Sequence, residues 1–329
     1  MKILIINVTR IGDTLFGVPS IRAIAQHYPG AEITVLAHPN RYEVLEHLPY
    51  VQHAGGITKK SAWYRGWFGK QYDKAFVWGF DAPLIRYAAR VSKEVIAHRQ
   101  PETRLNKLIT HVVEPPIHKA NHVVKQLLTL PEGVGITTTN YRIDLVLAEA
   151  ERAWARQKLD SLGFTSDKLL VGFQTTSFHT RPYRDWPIEN FRDLARRLSQ
   201  QYPQARFILF GGRDGLERNQ SLATELGDCC ISFANQLSLR QTAAIMSCLN
   251  VYVGVDTGPT HIMSTFDIPL VGLYHAKSKT HHTGPLQHPR DYCINHPVDE
   301  ADADETTPMA DITVDQVYNQ VLRSLEATQ

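Results

Sequence analysis

A chain of 329 residues, 43% hydrophobic and 21% charged, has the composition of a globular protein and exceeds what one core usually holds, so two domains are expected. A formal charge of +2 gives net charge no hold on nucleic acid, and no apolar run reaches the length of a membrane span. The four cysteines, Cys229, Cys230, Cys248 and Cys293, show no metal-ligand spacing and read as reduced thiols of a cytoplasmic protein.

The opening "KILIINV" is a short β-rich run, read as a buried strand and not as a signal peptide, because it ends at Arg10 without a small-residue cleavage site. "DTLFGVPSIRAIAQHY" has helical spacing at Leu15, Val18, Ile21 and Ile24, stopped by Pro29-Gly30. Strands are predicted at "EITVLAH", "KAFVWG" and "EVIAHR", and helices at "APLIRYAARV" and 118–130. The stretch 131–167, with the helix "AEAERAWARQKLDSLG", reads as the join between halves. Alternation then resumes with strands "KLLVGFQT", "ARFILFGG", "NVYVGVDT" and "IPLVGLY". Helices follow at 188–202, 216–227, 238–249 and 259–266, and a last one at 313–328 comes after an acidic linker.

Strands alternating with helices at this spacing imply parallel sheets covered on both faces. Two such runs imply two doubly wound α/β domains, here residues 1–165 and 166–329, with the last helix expected to pack back on the first. Ligands of such folds bind beyond the carboxyl ends of the strands, and the cleft between domains is the natural site. "VGVDTGPTHI" runs a strand straight into a helix: Pro259 suits the first turn, Gly258 admits a close ligand, and the helix start favours phosphate. Asp256 and Thr257 there can hydrogen-bond a sugar, or one of them can simply be an N-cap.

Four segments resemble the heptosyltransferase-type glycosyltransferases of family 9: "ILIINVTRIGDTLFGVPSIRAI", "GFQTTSFHTRPYRDWPIENFRDLARRL", "FILFGGRDGLERNQSLA", and "VGVDTGPTHIMSTFDIPLVGLY" with its following "TGP". The resemblance implies a GT-B fold of two Rossmann-like domains facing a cleft. It implies an inverting, metal-independent transfer of a heptose from ADP-heptose to the lipopolysaccharide inner core, at the cytoplasmic face of the inner membrane. It implies an acceptor-binding first domain, a donor-binding second domain and no cofactor.

Asp13, at the end of the first strand, is the expected general base, since such a transfer needs a group to take the acceptor hydroxyl proton. The bland reading is an N-cap. Gly12 beside it leaves room for the acceptor. Thr175, Thr176 and Arg184 are expected at the donor diphosphate, with Arg181 competing for the role of Arg184. An acid near the ribose is expected at Glu217 or Asp214, and His261 near the phosphates; each also reads as an ordinary helix residue.

"TKKSAWYRGWFGKQYDK" interleaves Lys59, Lys60, Arg65 and Lys70 with Trp63, Tyr64, Trp67 and Phe68, a pattern suited to an anionic glycolipid near a membrane. It equally fits a solvated segment with its aromatics packed inward, or nucleic acid, though no nucleic-acid motif accompanies it. "DADE" contains D-x-D but sits in an acidic run that reads as linker, and His275, His281, His282 and His288 lack zinc-motif spacing. His275-Ala276-Lys277 departs from the family pattern and leaves the donor sugar open. A sugar-nucleotide epimerase and a non-catalytic sugar-nucleotide binder are the competing readings.

Overall fold

The computed structural model describes residues 1–66, 69–116 and 121–327, and the chain divides into two compact units, Met1–Val146 and Leu147–Gln329. The first unit holds strands β1 (Lys2–Asn7), β2 (Glu32–Ala37), β3 (His53–Gly56), β4 (Tyr72–Val77), β5 (Ser92–His98) and β6 (His111–Val113). Its helices are α1 (Ile11–Phe16), α2 (Val18–His27), α3 (Lys59–Tyr64), α4 (Ala82–Val91), α5 (Thr103–Asn106) and α6 (Val123–Glu132). The second unit holds β7 (Leu169–Gln174), β8 (Ala205–Phe210), β9 (Cys230–Ser232), β10 (Val251–Val255), β11 (Leu270–Tyr274) and β12 (Ile294–Asn295). Its helices are α7 (Glu149–Asp160), α8 (Ile188–Gln201), α9 (Leu216–Leu226), α10 (Leu239–Met246), α11 (Gly258–Met263), α12 (Thr280–Thr283) and α13 (Val314–Glu326).

Both sheets are parallel throughout. The first runs β3-β2-β1-β4-β5-β6, and the second, followed from its other edge, runs β9-β8-β7-β10-β11-β12. That is one order used twice, the doubly wound order whose direction reverses between β1 and β4, and again between β7 and β10. The central strands are apolar on both faces because helices cover both: Ile3 to Ile6 and Val251 to Val255 are buried. In the second unit Phe173, Trp186, Phe191 and Phe207 form the heart of the core, and the Trp186 indole N–H donates to the Ile312 carbonyl at 2.7 Å. The last helix, expected on the first domain, instead buries Val317, Val321 and Leu325 in this core and packs on α8.

Three further expectations shift. The division falls after Val146 and not after residue 165, because α7 packs on α10 of the second unit, with the Arg240 guanidinium on Glu151 at 2.5 Å. The basic aromatic segment is partly a helix, α3, started by Thr58, whose side chain accepts from the Ser61 N–H while Ser61 answers with a bond from the Thr58 N–H. The edge strands β3, β6, β9 and β12 are two to four residues long and carry no apolar run that would announce them. The helix predicted over 118–130 begins in the structure at Val123; residues 118–120 lie outside the described residues, as does Thr328 of the last one. All four cysteines are free thiols, and among the described residues no helix is long and apolar enough to cross a membrane.

Candidate active site

The switch point of each sheet carries one candidate site. In the second unit, register sets Gln174 at the end of β7 beside Gly254 of β10, so Thr175-Thr176 and Asp256-Thr257 leave the sheet as neighbours. Asp256 is 3% exposed, and four groups converge on its carboxylate. Arg184 donates at 2.9 Å and the Ser278 hydroxyl at 2.9 Å to one oxygen; the Thr283 hydroxyl donates at 3.3 Å to the other, which lies 3.4 Å from His261 Nε2. Thr257 occupies the N-cap position of α11 without any side-chain capping bond, so the bland reading of this stretch is not how it folds. Gly258 opens the helix, buried.

Arg184 comes from a single 3₁₀ turn, Pro182–Arg184, in the loop after β7. The base of that loop is tied by Asp185, which accepts the Ser177 N–H at 2.6 Å and is paired with Arg218 at 3.3 Å. Burial raises the Asp185 carboxyl above its usual range, and the Ser177 and Arg218 donors pull it back. Arg184 lies near the Tyr183 ring, whose other neighbour is the edge of His275, 4.9 Å between centroids. His275 is buried. Its Nδ1 accepts the Lys277 N–H at 3.1 Å and its Nε2 meets the Thr307 carbonyl at 2.9 Å. It is therefore part of the wall behind the site. Arg184 Nε is buried and has no hydrogen-bond partner among the described residues. The same holds for Gln174 Oε1. A buried unpaired donor or acceptor costs free energy.

The other residues expected at the donor separate into inward and outward ones. The Thr175 hydroxyl donates to Asn219 Oδ1, and Asn219 in turn donates to the Phe210 carbonyl at 2.9 Å, so Thr175 braces β7 against α9. The Thr176 hydroxyl has no hydrogen bond among the described residues and fills the space over Gly215, where a Cβ would come within 2.6 Å of it. Glu217 is exposed in the first turn of α9 with no partner among the described residues. Asp214 is exposed and 3.3 Å from His179. The Arg181 side chain is half-buried with no partner among the described residues. Neither His261 nor the Ser278 and Thr283 hydroxyls could be assigned to Asp256 by spacing; only the "TGP" motif pointed near Thr283.

In the first unit a pocket of about 400 Å³ opens where β1 and β4 end. Asn7, Thr9 and Asp13 line one side, Trp78 and Phe80 another, and His98, Gln126 and Leu127 lie beyond. Asp13 is the third residue of α1, whose N-cap position belongs to Arg10, so it is not an N-cap. Among the described residues its carboxylate accepts one side-chain bond, from the Thr9 hydroxyl at 3.0 Å. Gly12 is buried beside it. His98 Nε2 lies 3.1 Å from the Thr129 hydroxyl, and burial lowers its pKa. The aromatic lining was not foreseen, because Trp78 read as the tail of a strand and Phe80 fell between predicted elements.

On α3, Lys59 pairs with Asp81 at 2.5 Å, Lys60 is exposed, and Arg65 donates to the Gly56 carbonyl at 3.1 Å. Trp63 is 75% and Tyr64 58% exposed, so these two aromatics do not pack inward. Trp67 and Phe68 lie outside the described residues. The D-x-D residues Asp302 and Asp304 are exposed, and Asp304 is spent on a local turn, accepting from the Thr306 N–H at 2.7 Å and hydroxyl at 2.6 Å.

The model of glycosyltransferase family 9 (heptosyltransferase) matches residues 87–312, more than half of the chain. Lipopolysaccharide heptosyltransferase 3 of Escherichia coli K12 is 26% identical over 288 residues, covering 80% of this chain and 80% of its own. Among solved structures, a glycosyl transferase family 9 protein from Veillonella parvula superposes with a TM-score of 0.86 at 19% identity, covering 99% of this chain and 97% of its own. The Escherichia coli ADP-heptose lipopolysaccharide heptosyltransferase II superposes at 0.82 with 22% identity, covering 100% of this chain and 99% of its own. The fold is thus the GT-B class of two Rossmann-like domains.

Proposed function

The chain belongs to glycosyltransferase family 9, and from that premise we propose that it moves a heptose from ADP-heptose to a hydroxyl of the lipopolysaccharide inner core. The names of the relatives supply the donor and acceptor classes. Asp13 lies outside the stretch that matches the family model, so its role rests on its geometry. That geometry is the observation carrying the mechanism: a carboxylate with a single side-chain hydrogen bond among the described residues, at the switch point of its sheet, opening on a pocket.

In the proposed reaction the acceptor oxygen attacks the anomeric carbon while its proton passes to Asp13. The bond from that carbon to the diphosphate breaks, and ADP leaves with the bonding pair. One displacement inverts the anomeric centre. The transition state is oxocarbenium-like, and the growing charge on the diphosphate needs a fixed cation. Arg184 is that cation in this reading: Asp256 holds one of its nitrogens and so fixes the guanidinium beside the start of α11. Thr176 and His261 line the same end of the second sheet, with Thr257 and Gly258 at the start of α11; Thr175 acts by bracing β7 through Asn219. Glu217 is the acid proposed for the ribose. No metal is proposed on the diphosphate, because an arginine supplies the charge there and the D-x-D carboxylates stand in an exposed turn.

The exposed face of α3, with Lys60, Trp63, Tyr64 and Arg65, is proposed to hold the anionic acceptor at the cytoplasmic surface of the inner membrane. Incubation with ADP-heptose and a panel of truncated cores, in EDTA, followed by mass spectrometry, tests the reading. One core should gain one heptose, and its anomeric proton should show inversion by NMR. Release of ADP without transfer to any core would overturn it.

A further inference from the structure

Outside the candidate site the structure brings together three side chains that the sequence keeps apart. His281 and His282 sit on α12, and Glu300 opens the 3₁₀ turn Glu300–Asp302, eighteen residues after His282. His282 Nε2 lies 3.0 Å from one Glu300 oxygen and 3.2 Å from the other, and His281 Nε2 lies 3.2 Å from the second. The two rings are 3.9 Å apart at their centroids, tilted by 45°. One ligand atom from each residue falls within a 4.8 Å span.

We infer that His281, His282 and Glu300 form a binding site for a divalent transition-metal ion of the zinc class. Imidazole nitrogen and carboxylate oxygen are the donors that such borderline ions prefer. With bonds of about 2.0–2.2 Å and tetrahedral angles, neighbouring ligand atoms around zinc sit about 3.3 Å apart, close to the nitrogen–oxygen spacings here. Charge points the same way. Two neutral imidazoles and one carboxylate suit a dication. Lys279, the nearest cation in sequence, is drawn off to Asp299 at 3.6 Å.

The backbone is already set for binding. At one end of α12, the Thr280 N–H donates to Asn295 Oδ1 at 2.8 Å and Asn295 Nδ2 returns a bond to the Thr280 hydroxyl at 2.9 Å. At the other end the Thr283 hydroxyl reaches Asp256. An ion would therefore clip α12 to the Glu300 turn and fix the segment that delivers Thr283. It is a clamp on the wall of the site and not a ligand of the diphosphate. The zinc-motif test on the sequence missed it because its third ligand comes from the acidic run that read as linker.

The experiment is direct metal binding and does not depend on the donor or acceptor. Untagged protein is stripped with EDTA, dialysed, and titrated with Co²⁺ while visible absorption is followed. One Co²⁺ per chain is expected, with ligand-field bands that Zn²⁺ bleaches, and Zn²⁺ should raise the melting temperature. His282→Ala and Glu300→Gln should each weaken Co²⁺ binding by at least about tenfold, since losing even an outer-shell partner of a metal ligand costs that much. Binding should also weaken in acid, because the imidazoles must give up protons. If His282→Ala folds poorly, His281→Ala gives the same reading, because that ring is exposed and supports no core. No Co²⁺ uptake by the wild type, or equal affinity in the variants, overturns the site; the second result means ions scattered over the chain's other histidines.

Discussion

Asp13 and Asp256 each follow a central strand of a parallel sheet, yet their surroundings are opposite. Asp256 is 3% exposed and has Arg184, Ser278, Thr283 and His261 around its two oxygens. Asp13 has the Thr9 hydroxyl and an open pocket. A carboxylate ringed by four such groups is a keystone that organises its neighbours. A carboxylate held by one side-chain hydroxyl among the described residues is oriented and open to a ligand. The two acids therefore have different work, and neutralising each should break different things.

The largest effect expected is on turnover, at Asp13. Asp13→Asn keeps the shape and the Thr9 contact and removes the proton acceptor. Turnover should fall by about two to four orders of magnitude, the usual share of general base catalysis, with melting temperature and ADP affinity near wild type. Near wild-type turnover would end the base assignment.

Asp256→Ala should do the reverse, striking stability first. It strands the Arg184 guanidinium, 11% exposed at its side chain, without its counter-ion. Breaking a buried pair from one side costs roughly 3–5 kcal/mol, measurable by urea unfolding. Arg184→Ala probes the donor from the other side of the same pair. A hydrogen bond to a charged group is worth about 1.5–3 kcal/mol, so ADP affinity should drop by roughly tenfold or more, while EDTA leaves wild-type ADP binding in place. Unchanged affinity in the variant would pass the diphosphate to Arg181.

The same contrast explains what could be read from the sequence. The two doubly wound domains were legible because β1, β2, β4, β5, β7, β8, β10 and β11 are apolar runs bounded by turns. The keystone was half legible: Asp256 stood out in "DTGP", but its partners lie 72, 22 and 27 residues away, and only folding brings Arg184, Ser278 and Thr283 to it. Thr175 misled in a different way. Its hydroxyl follows a strand as a ligand group would, but a buried amide, Asn219, captures it. Trp78 and Phe80 became pocket walls because they stand just past β4, at the switch point, a fact about strand order that spacing does not carry.

A smaller effect is expected at α3. Changing Lys59, Lys60 and Arg65 together to Ala should raise the acceptor KM several-fold and flatten its dependence on ionic strength, with donor KM unmoved. Lys59 contributes least in this reading, being paired with Asp81. A change in donor KM alone would detach the face from the acceptor.

The smallest effect compares one buried histidine from each unit. Burial lowers the pKa of both His98 and His275 below the ordinary 6.5. The sign follows from linkage: the unfolded chain takes up a proton near pH 6.5 and the folded chain resists it. Stability is then full above that value and is lost as pH falls from it through the folded-state pKa. The two should not lose equally. His98 uses Nε2, whose partner Thr129 passes its own proton to the Gln126 carbonyl, so the ring nitrogen is the donor and Nδ1 is left unused among the described residues. Protonating it costs mainly desolvation. His275 uses both nitrogens in the neutral form, and a proton on Nδ1 must break the Lys277 N–H bond. The new charge also faces Arg184, Lys277 and His296. Urea unfolding from about pH 7.5 to 5 should therefore give a shallower pH slope for His275→Gln than for His98→Gln. The slope is the quantity to compare, because a lost contact lowers stability at every pH, while a lost proton site changes only how stability varies with it. Equal slopes in the two variants would mean that the shared cost of burial, and not the Lys277 bond, governs both rings.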